Sequence, residues 1–103
     1  MTTKSVNNAT LLEVLAKLEP GEDLDESLRK LLLEKARNSL LKYRLVDQGF
    51  QKEYGQDFFS FKASDRMVRP SFKVEQDYCD WELAVTMIEE LETALKLLQG
   101  NAE

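Results

Sequence analysis

Histidine is absent from the 103-residue chain, and cysteine occurs once, as Cys79. Without histidine the commonest general base, the commonest metal ligand and the side chain that titrates near neutral pH are missing. A single cysteine excludes an internal disulfide and any multi-cysteine zinc site. Long apolar runs are missing too. Stretches such as Leu31–Leu33 and Leu83–Val85 stop at three residues, against the roughly 20 that a membrane span needs. The start, Met1 to Asn8, lacks the apolar stretch of a secretory signal, so a cytoplasmic location and no membrane association are expected. The four glycines (21, 49, 55 and 100) stand alone, so no glycine-rich phosphate loop exists.

What is present is an apolar and strongly charged chain. Hydrophobic residues make up 43% and charged residues 32%, with a net charge of -5. That apolar fraction supports a core, and the length predicts one domain, 1–103. Residues 1–9 read as a disordered terminus.

Helical spacing dominates the remainder. Thr10 and Glu13 form a capping-box pattern ahead of Leu11, Val14, Leu15 and Leu18, predicting a short helix over 10–19 that Pro20-Gly21 stops. Asp23 or Asp25 can cap a second helix. Leu28, Leu32, Ala36, Leu40, Tyr43, Val46, Phe50 and Tyr54 then recur every three or four residues, predicting one long helix over 24–54 with Gly55 as its stop. Gly49 marks a place where that helix can kink or break. Residues 57–63 fit a short helix capped by Asp57 or, by the alternation of Phe59, Phe61 and Ala63, a strand; helix is preferred because a lone strand has no pairing partner. Pro70 favours extended backbone at Arg69, so 64–74 reads as a loop.

The last helix is expected from about 75 to 99. Its main stripe is Tyr78, Trp81, Ala84, Val85, Ile88, Leu91, Leu95 and Leu98, and Leu83, Met87, Ala94 and Leu97 make a second apolar side. A helix apolar on two sides lies between others of its own chain or is shared with a partner, such as a homodimer mate. The predicted fold is all-α: two long antiparallel helices with two short ones packed on them.

Charge is unevenly spread. Residues 1–20 balance, 21–46 and 47–73 each carry a net +1, and 74–103 carry -7, with Lys96 the lone base among eight acids. These acids can complement a helix start and line a solvated face. They can instead dock on a basic partner, such as the nucleic-acid-binding face of a nuclease, or lie against the basic middle of the second helix. In that middle, Lys30, Arg37, Leu41, Arg44 and Gln48 share one side. This is an ordinary wet face or a contact surface for protein or phosphate, the latter giving a DNA-binding regulator as the alternative function.

Catalytic chemistry finds little footing. Cys79, read as half-buried, has no histidine base and is flanked by Tyr78 and Asp80. The carboxylate pairs Asp23/Glu26, Asp77/Asp80 and Glu89/Glu92 offer a remote route to a metal-dependent hydrolase. They fall at helix starts or on the exposed acidic side, so no metal, cofactor or enzymatic activity is expected.

Three stretches carry a family resemblance. They are Glu34-Lys-Ala-Arg-Asn-Ser-Leu-Leu-Lys-Tyr43-Arg-Leu, then Phe50-Gln-Lys-Glu-Tyr54-Gly55-Gln-Asp57-Phe58-Phe-Ser-Phe61, then Val74-Glu75-Gln-Asp77-Tyr78-Cys-Asp-Trp81-Glu82. In this order, over about 24–98, the chain resembles a small family of uncharacterised archaeal and cyanobacterial proteins whose members look like the antitoxin half of toxin–antitoxin pairs. The resemblance implies a non-enzymatic module that neutralises a cognate toxin by protein contact. The contact residues expected on that reading are Tyr78, Trp81, Glu82, Glu89 and Glu92, the aromatics as anchors and the acids as the match to a basic surface.

Overall fold

The computed structural model describes residues 7–18, 20–21 and 23–100. Helix accounts for 84% of the structure, and the described residues contain no strand. The fold is therefore all-α. The elements are α1 (Asn8–Leu18), α2 (Leu24–Tyr54), α3 (Phe58–Lys62), a single 3-10 turn (Asp65–Met67) and α4 (Phe72–Leu98). The chain separates into two compact units, one ending at Lys35 and the other starting at Ala36.

The first unit holds α1 and the start of α2. The expected capping box does not form. The Asn7 side chain accepts from the Thr10 amide at 2.8 Å, so the helix begins earlier and Thr10 and Glu13 lie inside it. This also corrects the terminus: residues 8 and 9, expected to be disordered, are helical, while 1–6 lie outside the described residues. Gly21, at φ 85, makes the left-handed turn that ends the connection, a conformation easy only for glycine. Asp23, not Asp25, caps α2, accepting from the Glu26 amide at 2.8 Å. In the first turn Glu26 pairs with Arg29 at 2.7 Å, and that hydrogen bond holds the Glu26 carboxyl below its usual range. Among the described residues of this unit, only Leu15, Ser27 and Leu33 are buried.

The second unit is built around Trp81. α2 runs without interruption through Gly49 to Tyr54, so the possible break there does not occur. The helical reading of 57–63 holds, as α3. Asp57 caps it by accepting from the Ser60 amide at 2.8 Å, which lowers its pKa. Phe58 and Phe61 reach inward from α3 and close on Trp81, which is 0% exposed. Phe50 and Tyr54 of α2 stack on the indole with ring centroids 5.4 and 5.9 Å away, and Phe61 lies at 5.0 Å. Aromatic packing of this kind adds roughly 0.5–1.5 kcal/mol per pair beyond burial of area.

α4 starts three residues earlier than expected. The loop reading of 64–74 extends the influence of Pro70 too far. Ser71 caps the helix by accepting from the Val74 amide at 3.2 Å, and the Asp65–Met67 turn occupies part of the supposed loop. The expected inner stripe of α4 is the one that turns in: Trp81 and Ala84 are buried, and Tyr78, Val85, Ile88, Leu91, Leu95 and Leu98 are half-buried. The second side stays open at Leu83 and Leu97, 55% and 61% exposed.

Cross-links between α2 and α4 set the register. Arg44 pairs with Glu92, Asp47 with Trp81, and Glu53 with Lys73. Residue numbers rise on α2 as they fall on α4, so the two long helices run antiparallel in this unit. No described helix is long and apolar enough to cross a membrane.

Candidate interaction surfaces

The residues expected to meet a partner separate by the direction in which they point. Trp81 points inward, and its indole N–H donates to Asp47 Oδ1 at 2.7 Å. Fully buried and hydrogen-bonded, it is a core residue; its assignment as a partner anchor is corrected. Tyr78 is half-buried against Phe58, at 5.5 Å between centroids, and its hydroxyl donates to Glu82 Oε2 at 3.2 Å. Burial and that carboxylate together push the Tyr78 pKa up. Glu92 turns toward α2, where it pairs with Arg44 at 2.7 Å. This one pair realises the intrachain reading of the acidic helix.

Glu82 and Glu89 remain on the outer side of α4. With Glu75 they recur every seven residues, two helical turns apart, so the three carboxylates form one line about 21 Å long. Glu90 lies on the solvent side of this line and Asp80 across the helix from it, and all five residues are exposed. Among the described residues no cation pairs with any of them. Cys79, read as half-buried, is exposed beside this line.

Asp77 belongs elsewhere. It accepts from the Tyr54 hydroxyl and from Lys73 Nζ at 2.6 Å. Burial pulls its pKa up, but Lys73 and Tyr54 outweigh burial and hold the carboxyl below its usual range. Burial and the same hydrogen bond raise the Tyr54 pKa, and Asp77 with Glu53 raises that of Lys73. The group ties the end of α2 to the start of α4 and is structural.

The basic side of α2 divides likewise. Lys30 lies in the first unit, next to Gly21, Asp23 and Glu26. Arg37, Leu41 and Arg44 lie in the second, where they line an open groove with Leu40, Glu92, Leu95, Lys96 and Gln99. Of the α4 side chains that complete this groove, Glu92 was expected to meet a partner and Leu95 to turn inward; that they face Arg37 together with Lys96 and Gln99 was not legible, because nothing local shows which residue of a distant helix will do so. The groove mixes both signs, with Glu92 engaging Arg44. The carboxylate pairs do not converge either, and no group of three potential metal ligands occurs among the described residues.

A third surface is made by the leucines of α1 and the start of α2. In the first unit Leu11, Leu12, Leu24, Leu28 and Leu31 line an apolar groove floored by Leu15. Each of the five is between 37% and 55% exposed. The signal was available: nine leucines lie between residues 11 and 33, more than two helices can bury against each other alone.

No family model matches the chain, and no curated protein or solved structure matches it significantly.

Proposed function

We propose that the protein is a non-enzymatic interaction module that holds a basic protein partner on the outer face of α4, in the antitoxin role that the resemblance implies. The observation that carries this reading is the line Glu75–Glu82–Glu89, exposed and unmatched by any described cation. Such a line sits on a rigid support, because the adjoining side of the same helix is locked into the Trp81 core. Complementary charge on a fixed surface speeds encounter and rejects wrong partners, while supplying less of the final affinity. The exposed Leu83 and Leu97, on the same outward half of the helix, add apolar area beside the acids.

The test is a pair of tagged baits, the natural chain and Glu75→Lys/Glu82→Lys/Glu89→Lys, exposed to native lysate with and without nuclease treatment and read by mass spectrometry. The expected result is one basic protein, close to equimolar with the natural chain and lost from the triple variant. Equal capture by both baits, or capture that vanishes with nuclease, contradicts the reading. The second outcome would favour the DNA-binding alternative.

A further inference from the structure

The leucine groove of the first unit calls for a different occupant from the acidic face of α4. Its five rim leucines, with Val14, Leu18 and Leu32, are each at least 37% exposed. The five rim leucines alone leave roughly 400 Å² of apolar area in water, a size at which an exposed patch usually serves as a contact surface. α1 itself has 11 residues and buries only Leu15, and helices shorter than about 12–15 residues are marginal without packing. The surface is thus one that the fold needs covered whenever the chain is present. A second copy meets that requirement at all times.

The charges on this face choose the same occupant. Helical spacing places Lys35 on the leucine side of α2 with Leu24, Leu28, Leu31 and Leu32, and Asp25 at its edge. Asp25 and Lys35 are exposed, and among the described residues neither takes part in an ion pair. They lie five residues either side of position 30, and Leu28 and Leu32 lie two residues either side of it. An antiparallel twofold pairing about that position sets Leu28 of each copy against Leu32 of the other. It sets Asp25 against Lys35 twice. Self-complementary placement of this kind is what an isologous interface requires. A basic partner, which suits α4, finds no net acidic charge to match here.

We infer that the protein is a homodimer whose two copies pair antiparallel through residues 24–35 of α2, with Leu11 and Leu12 of α1 closing the sides. This surface is independent of the acidic face, so either assignment can fail without the other.

The experiment is sedimentation equilibrium and light scattering of the full chain over a wide concentration range. Four chains are compared: natural, Leu28→Asp, Lys35→Asp and Asp25→Lys/Lys35→Asp. The natural chain is expected at twice its 11.9 kDa mass. Leu28→Asp should weaken association at least about a hundredfold, by forcing a charge into the apolar contact. Lys35→Asp should weaken it about tenfold, and the double swap should restore it. Trp81 fluorescence, seated in the other unit, should stay unchanged throughout. A chain that is monomeric at every concentration overturns the inference. So does a dimer indifferent to Leu28→Asp, or one that the charge swap fails to restore.

Discussion

The two halves of α2 carry one apolar stripe with one spacing, and they use it in opposite ways. From Ala36 on the stripe is covered, with Ala36 and Leu40 at 7% and 5% exposure. Before Ala36 it is open, with Leu28 and Leu32 both at 46%. Periodicity decides which side of a helix is apolar, whereas coverage depends on what the rest of the chain can bring to it. The second half receives α3, α4 and their aromatic rings. The first half receives α1, whose sole buried residue is Leu15. A stripe that is structural in one unit is thus surplus in the other, and surplus apolar surface is what an interface is made from.

The largest expected effect sharpens this contrast. Trp81→Ala should cost about 3–5 kcal/mol, because it empties the centre of a ring of aromatic side chains. Leu28→Ala, measured at dilutions where the chain is monomeric, should cost under about 1 kcal/mol. Denaturant unfolding followed by circular dichroism reads both, and equal costs would erase the distinction between the units. Next in size is Asp47→Ala, which leaves the buried indole N–H without its acceptor and should cost about 1–3 kcal/mol. In a Trp81→Phe background the same change should cost much less, and a double-mutant cycle measures the difference.

The third prediction concerns pH. The folded-state pKa of Asp77 is lowered, so its contribution is fully present above the ordinary carboxylate value of about 4. It is lost as pH falls through the lower folded value. Asp77→Asn should therefore be less stable than the natural chain at neutral pH, and the gap should close in acid. A gap independent of pH, in urea midpoints taken between neutrality and pH 2, would remove Asp77 from the account. Smaller still is Ser71→Ala, expected to cost about 1 kcal/mol by uncapping α4, with Ser71→Asp close to neutral. The smallest is Glu92→Gln. Its pair with Arg44 is about half exposed, so the loss in melting stability should stay below about 1 kcal/mol and shrink with salt.

Much of the architecture was readable because helix punctuation is local. The bounds of α2, the Asp57 cap of α3 and the Gly100 stop after α4 each depend on residues within a turn of the boundary. The start of α4 was misplaced because Pro70 was given more reach than it has; Ser71 one residue later already carried the cap. Trp81 shows the opposite limit. Its spacing placed it on the inner stripe, yet its attraction as an interface anchor rested on residue type alone. Its actual partners, Asp47, Phe50, Tyr54, Phe58 and Phe61, come from two other helices. The leucine groove was legible only as a surplus of leucine, for the same reason. A stripe on a helical wheel looks alike whether its own chain or a second copy covers it.

Amide hydrogen exchange across a dilution series tests the contrast between the units most directly. The account predicts that protection over 8–18 and 24–35 falls as the chain is diluted, while protection around Trp81 and along α4 stays constant. Protection that is uniform across both units and independent of concentration would contradict it.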